Sequence, residues 1–144
     1  MGRVKLELPE KFNYSCEVSV RVTDLNYGNH LGNQHILGFA QEARIGWLKS
    51  HGFTELNFGG VALIQADAAI MYKCEGHLGD LIKIEVAATQ VGRSAFDVFY
   101  KMTNMTKDKV LAKAKTAIVC YDYEAKKPVP IPEEVLNCDL FTKD

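Results

Sequence analysis

One segment of the chain repeats its apolar residues at helical spacing, and the segments on either side alternate as strands do. The helical segment extends from Ile36 to Trp47, with Asn33 as a predicted N-cap and Gly52 as the residue that ends the helix. It is the one long helix that the sequence predicts. Most of the remaining core is therefore expected to come from strands, which is typical of an α+β fold.

Alternation of apolar and polar residues predicts a strand over residues 16–23, where Val18, Val20 and Val22 face one side. Four more segments are rich in β-branched and aromatic residues, and they predict strands at 62–73, 81–91, 94–104 and 110–122. The connections between these four strands are short. We therefore expect consecutive strands to lie antiparallel, in a five-stranded sheet with the second strand in its centre.

The length of the chain suits one domain, which we expect to span residues 1–144. Its core is expected over about residues 16–132, followed by an extended tail that contains proline and takes a last helical turn after Pro132. A single helix cannot cover a five-stranded sheet. The uncovered face and the sheet edges therefore predict self-association.

Composition argues against several classes of partner. Seventeen basic and eighteen acidic residues give a formal charge of −1, so nucleic acid is not an expected partner. No apolar stretch approaches the roughly 20 residues that span a bilayer, and no signal peptide is recognised. The four cysteines are scattered without a CxxC pair, which is typical of a reduced, cytoplasmic protein. Neither a metal nor a cofactor is predicted.

The loop and the helix resemble a known family. The stretch DLNYGNHLGN at residues 24–33, the QEAR at 41–44 and the GD at 79–80 are similar to hotdog-fold acyl-CoA thioesterases of the 4-hydroxybenzoyl-CoA thioesterase type. Members commonly show a D-x-D-x-x-G-H-x-N-N loop followed by a helix with E-A-R. The resemblance covers residues 18–132. It implies a sheet wrapped around the helix, a homodimer or homotetramer with active sites at the subunit boundary, and hydrolysis of an acyl-CoA substrate to a carboxylic acid and CoA.

The resemblance also places the thioester carbonyl at the start of the helix. Backbone amides around Gly32, Asn33 and Gln34 would lie at the positive end of the helix dipole. Such donors can stabilise the oxyanion that forms when water attacks the acyl carbon. Gly32 departs from the family pattern, since it replaces the first Asn of the usual pair.

The CoA part of the substrate carries phosphates, so a few cations are expected near the mouth of the pocket. Arg93 lies in a tight turn where the family often contacts CoA. Ser94, next to it, and Lys73, at the end of the second predicted strand, are further candidates for substrate binding.

A second departure concerns the catalytic base. Asn26 stands where many family thioesterases have the catalytic Asp, and an amide cannot act as a general base, although it can orient water. The base would then be Asp24, His30, Glu42 or Asp67. Asp24 and His30 could instead hold the loop, and Glu42 could instead form an ion pair with the neighbouring arginine. Asp67 interrupts an apolar strand, where burial would raise its pKa and suit it to accept a proton.

Two alternatives to a thioesterase stay open. The (R)-specific enoyl-CoA hydratases share the fold and use a D-x-N-P-x-H loop. This chain has Asp24, Asn26 and His30 in that order, without the proline and with one residue more before the histidine. The other alternative is a non-catalytic acyl-CoA-binding protein, which Asn26 favours.

Overall fold

The computed structural model describes residues 2–142. One long helix, α1, lies against a six-stranded antiparallel sheet, and a single helical turn, α2, lies near the C-terminus. The elements in chain order are β1 (Tyr14–Ser19), α1 (Gln34–Ser50), β2 (Ala62–Tyr72), β3 (Leu81–Gln90), β4 (Ala95–Asn104), β5 (Lys109–Asp122), β6 (Lys127–Pro128) and α2 (Glu133–Leu136).

The predicted α+β class is confirmed, and so are the bounds of α1. The helix begins after Asn33, although the Asn33 side chain makes no capping hydrogen bond. It ends in a Schellman motif: Gly52 adopts a φ of +81° and donates to Lys49 C=O, while Phe53 N–H donates to Leu48 C=O. A left-handed residue is required at this point, which explains the glycine.

The strand order is β1-β3-β4-β5-β2, and the short β6 pairs with β5 beyond the five predicted strands. The strands β2, β3, β4 and β5 each begin and end within one residue of the predicted positions. Neighbouring strands are antiparallel, as predicted. However, β2 pairs with β5 and not with β3, so residues 73–80 carry the chain across the sheet. The prediction that β2 is central was wrong, because it forms an edge of the sheet.

The first strand is shorter than its sequence pattern predicts. It ends at Ser19, and a 3₁₀ turn follows at Val22–Asp24. Asp24 causes this turn, because its carboxylate accepts the N–H of Arg21 at 2.9 Å and its own N–H donates to Arg21 C=O. Val22 continues the alternation in the sequence but is 70% exposed.

The core lies between α1 and the face of the sheet that packs against it. Its largest fully buried side chains include Trp47, Tyr100, Phe58 and Phe96, and burial of each such side chain is worth roughly 1.5–3 kcal/mol. No helix within residues 2–142 is long and apolar enough to cross a membrane.

Arg44 fixes α1 to the sheet from within the core. Its guanidinium donates to the Tyr100 hydroxyl at 3.0 Å and to Glu55 Oε1 at 3.1 Å. The Tyr100 hydroxyl also shares a hydrogen bond with the Thr116 hydroxyl. These bonds satisfy a charge that would be costly to bury alone. They also fix how α1 is turned about its own axis relative to the sheet, so the face with Glu42 points away from the core.

Candidate active site

An open cleft of about 490 Å³ lies between α1 and the segment formed by β1 and the turn after it. This volume is within the usual range for small-molecule sites. The cleft brings together charged and apolar groups from both segments: Val18, Ser19, Arg21, Asp24, His35, Gly38, Phe39 and Glu42.

One face of α1 forms a wall of the cleft. His35, Phe39 and Glu42 are four and three residues apart, so they project from the same side of the helix. Gly38 lies between them, and a Cβ built there would meet no atom within 4 Å. The missing side chain therefore keeps space open in the middle of this wall.

Asp24 is buried at the end of the cleft, and Arg21 holds it. The guanidinium donates to both carboxylate oxygens, at 3.1 and 3.0 Å, and the Arg21 N–H adds a third bond. The Arg21 hydrogen bonds keep the pKa of Asp24 below its usual value, against the opposing effect of burial. Asp24 is thus a fixed negative charge and a weak proton acceptor.

His35 is the residue that sequence reasoning missed. Its Nδ1 lies 3.8 Å from Asp24 Oδ1, and its side chain is about one third exposed to the cleft. Gly32 makes room for it, because a Cβ at position 32 would come within 3.1 Å of His35 Cδ2 and 2.7 Å of Gln34 Oε1. The seven-residue spacing from His35 to Glu42, starting in the first helical turn, is the signal that could have revealed it.

The amides at the start of α1 are only partly free. Gly32 N–H donates to Asp24 C=O at 2.9 Å, so it is not one of the expected unpaired donors. Within residues 2–142, the N–H groups of Asn33 and Gln34 donate to no protein acceptor. These two amides lie next to His35 in the chain, at the positive end of the helix.

Asn26 and His30 lie in the loop but not in the wall of the cleft. The Asn26 side chain accepts the N–H groups of Gly28 and His30, at 2.9 and 3.2 Å, and its backbone N–H donates to His30 C=O. Asn26 therefore holds the loop in shape. The His30 imidazole faces Glu75 and His77 instead of Asp24.

Asp67 differs most from its predicted environment. It lies on the edge strand β2, and its side chain is 55% exposed. Lys115 donates to both of its oxygens and the Ala117 N–H to one, and the Lys115 bonds are the main reason that the pKa is lowered. The expected burial and raised pKa were wrong, because the strand order places this acid at a solvated edge.

Glu42 does line the cleft, as a catalytic role would require. Within the described residues 2–142 it forms no ion pair, since its neighbour Arg44 bonds to Glu55 instead. The substrate-binding candidates Arg93, Ser94 and Lys73 do not line the cleft of a single chain. They lie at strand ends, where Arg93 and Ser94 use their carbonyls to accept the N–H groups of Ile131 and Cys120.

Comparison with known proteins identifies the family. The sequence profile of the thioesterase-like superfamily matches residues 20–138, which is most of the chain. The chain belongs to this superfamily. As a thioesterase it is a thioester hydrolase, and the predicted hotdog fold is confirmed.

The relatives agree with this assignment. The thioesterase is 25% identical over 136 residues to a 1,4-dihydroxy-2-naphthoyl-CoA hydrolase of Synechococcus elongatus, covering 92% of this chain and 98% of the relative. Its fold matches that of a 1,4-dihydroxy-2-naphthoyl-CoA thioesterase from Synechocystis, with a TM-score of 0.79, 24% identity, and coverage of 88% and 97% of the two chains. It also matches the probable thioesterase YbaW from Escherichia coli, with a TM-score of 0.69, 22% identity, and coverage of 85% and 93%.

Proposed function

We propose that the protein hydrolyses the CoA thioester of an aromatic carboxylic acid. The superfamily and the similarity to 1,4-dihydroxy-2-naphthoyl-CoA hydrolases support hydrolysis of an acyl-CoA. The aromatic preference rests on those relatives and on Phe39, which offers an aromatic face inside the cleft.

The observation that carries the mechanism is the contact between His35 and Asp24 in the cleft. In our proposal, His35 accepts a proton from water as the water oxygen bonds to the acyl carbon. The carbon–sulfur bond then breaks, and the departing thiolate takes the proton from the imidazolium. Free acid and CoA are the products. Asp24 stabilises the imidazolium by its negative charge, as the third member of a catalytic triad does.

The free amides of Asn33 and Gln34 are the proposed oxyanion donors. They point outward from the helix end, where the dipole adds a favourable potential for negative charge. The loss of a single donor of this kind typically costs about 10²–10³ in kcat. His35 follows these two residues directly, so base and donors are carried by one helical turn.

Asp24 itself is a poor choice for the base. Its carboxylate already accepts three hydrogen bonds from Arg21, and its pKa is lowered. Glu42 is the competing base, because it lies in the same cleft without an ion pair among the described residues. Asn26 and His30 have no catalytic role in the proposal, because neither lines the cleft.

We further propose that the enzyme works as a homodimer or homotetramer. The edge strand β2 exposes residues 65–68, and an exposed edge can pair with a second copy. The cleft of one chain is open, and Arg21, the one lysine or arginine among its lining residues, is already paired with Asp24. Arg93, Ser94 and Lys73 are proposed to contact CoA at the boundary between subunits, where two copies would share one substrate.

The experiment follows release of free thiol from a panel of aryl-CoA, alkyl-CoA and enoyl-CoA esters. We expect His35→Gln to lower kcat about 10²–10⁴-fold. His51→Gln is the matched control, since His51 lies at the other end of α1, and it should leave turnover unchanged. Full activity in His35→Gln would overturn the assignment, and a comparable loss in Glu42→Gln alone would move the base to Glu42.

The same panel separates the alternatives. Loss of the enoyl chromophore without thiol release would indicate a hydratase. Saturable binding of CoA esters with no turnover of any of them would indicate a binding protein. Either result would contradict the proposed function.

A further inference from the structure

A second group of reactive side chains lies outside the cleft, where two loops meet. His30 comes from the loop before α1, and Glu75 and His77 come from the loop between β2 and β3. One ligand atom of each lies within 4.8 Å of those of the other two. His30 Nδ1 is 3.6 Å from Glu75 Oε1, and the two imidazole rings meet edge to face with centroids 4.9 Å apart.

The backbone holds these two loops together at the position of the cluster. Leu31, next to His30, donates its N–H to the carbonyl of Gly76, which lies between Glu75 and His77, at 2.8 Å. A Cβ at Gly76 would come within 3.0 Å of Leu31 Cβ, so the close approach depends on the glycine. The cluster thus follows from paired backbones and not from chance rotation of surface side chains.

Each loop is also fixed on its own. Asn26 bonds to both the N–H and the C=O of His30. On the other side, the buried Asp80 accepts the His77 N–H at 2.9 Å and an Asn104 side-chain N–H at 2.8 Å. The Cα positions of His30 and His77 are therefore set before any ligand binds, which lowers the entropy cost of assembling a site.

Two imidazoles and one carboxylate are a donor set for a divalent transition metal. We propose that His30, Glu75 and His77 bind one such ion, with zinc as the best match. Ligand atoms around tetrahedral zinc lie about 3.4 Å apart. The His30–Glu75 separation is already close to this, and Glu75 is exposed and free to rotate inward. The fourth position would be open to water.

Lys107 competes with the metal ion for His77. Its ammonium contacts His77 Nδ1 and lies 3.3 Å from Asp80 Oδ2. A metal bound to this nitrogen must displace the Lys107 ammonium. The displaced ammonium can still form its ion pair with Asp80. Lys107 therefore weakens the site without removing it, and its replacement by a neutral side chain should strengthen binding.

The bound ion would clamp the loop that carries Asn26 and His30 to the β2–β3 loop. That same stretch of chain continues into the first turn of α1. The site is independent of the proposed hydrolysis, because none of its three ligands lines the cleft.

The test uses tag-free protein treated with a chelator and then titrated calorimetrically with zinc, nickel and magnesium chlorides. We expect one zinc per chain, a rise in thermal midpoint on addition of zinc, and no binding of magnesium, which prefers oxygen ligands. His30→Ala and His77→Ala should each weaken zinc binding at least tenfold, and Lys107→Gln should tighten it several-fold.

The controls separate a built site from general histidine affinity. His51→Ala removes a histidine outside the cluster and should bind zinc as the unaltered protein does. Glu75→Gln changes an exposed side chain without loss of volume, so it tests the carboxylate if an alanine variant fails to fold by circular dichroism. Absence of saturable zinc binding, or equal binding by the unaltered protein, His77→Ala and Glu75→Gln, would overturn the proposal.

Discussion

Asp24 stays charged in a buried position because Arg21 surrounds its carboxylate. The paired Asp24 has a lowered pKa in the folded chain, whereas in the unfolded chain it titrates near 3.9. The pair therefore stabilises the fold above the unfolded pKa, and this contribution is lost as pH falls through the lower, folded pKa.

Asp24→Asn should accordingly destabilise the fold by about 1 kcal/mol at pH 7, a value at the low end for charged hydrogen bonds because Arg21 is solvated. The difference between the two proteins should begin to shrink as pH falls below about 4, where the unfolded Asp24 carboxyl takes up a proton, and should disappear below the lower pKa of the folded carboxyl. Urea unfolding of both proteins at pH 7 and pH 3 measures this difference in the free energy of unfolding. A difference of equal size at both pH values would show that the charge is not responsible.

Residue roles were the least predictable part of the sequence. The loop pattern drew attention to Asp24, which lines the cleft, and to the start of α1. It did not show that the Asn26 side chain forms hydrogen bonds within its own loop, or that the His30 imidazole faces another loop. The orientation of His30 depends on Glu75 and His77, which lie more than forty positions away in the chain. The position of His35 in the cleft depends instead on the turn before α1, which places Asp24 Oδ1 3.8 Å from the His35 imidazole.

At the scale of elements, α1 carries two glycines in different environments. A Cβ at Gly38 meets nothing within 4 Å, whereas a Cβ at Gly46 would overlap the hydroxyl of Tyr14 on β1. Glycine in a helix interior costs stability through chain entropy alone. The same substitution should therefore have opposite effects at positions that are two turns apart.

We expect Gly38→Ala to stabilise the fold by about 0.5–1 kcal/mol. Gly46→Ala should destabilise it by about 1 kcal/mol, at the low end for overpacking, because the end of the partly exposed Tyr14 side chain must move to relieve the overlap. Chemical denaturation of the two variants in parallel measures both values. Stabilisation by both substitutions would mean that the Tyr14 side chain moves aside without cost.

Element bounds were well predicted because periodicity and end signals are local. Gly52 ends α1 as expected, and β3 and β4 begin and end within one residue of their predicted positions. The first strand is the exception, since its alternation continues through Val22 while the Asp24 side chain closes a turn. A single long-range or side-chain interaction thus overrides an otherwise correct local pattern.

At the scale of the whole molecule, strand order decides which acids are buried and which edges are free. Sequence periodicity does not report pairing between distant strands, and the predicted central position of β2 was wrong for this reason. Its pairing with β5 instead leaves Asp67 solvated, and among residues 2–142 no strand pairs with the far side of β2. We therefore expect the predicted self-association to occur at this edge of β2.

Pairing of two β2 edges should bring the exposed stretch of residues 65–68 of one chain beside that of another. In a symmetric dimer a single substitution occurs twice at the interface. A lysine on this edge would therefore place two like charges close together. Natural proteins use charged edge residues to prevent such pairing.

We expect the unaltered protein to elute with the mass of at least two chains in size-exclusion chromatography with light scattering. Ala68→Lys should weaken the dimer at least tenfold and lower turnover with it, since the proposed CoA contacts lie at the subunit boundary. Ala125→Lys adds the same charge to an exposed turn and should do neither. A monomeric unaltered protein with full thioesterase activity would show that one chain suffices, and the cleft between α1 and β1 would then have to bind CoA unaided.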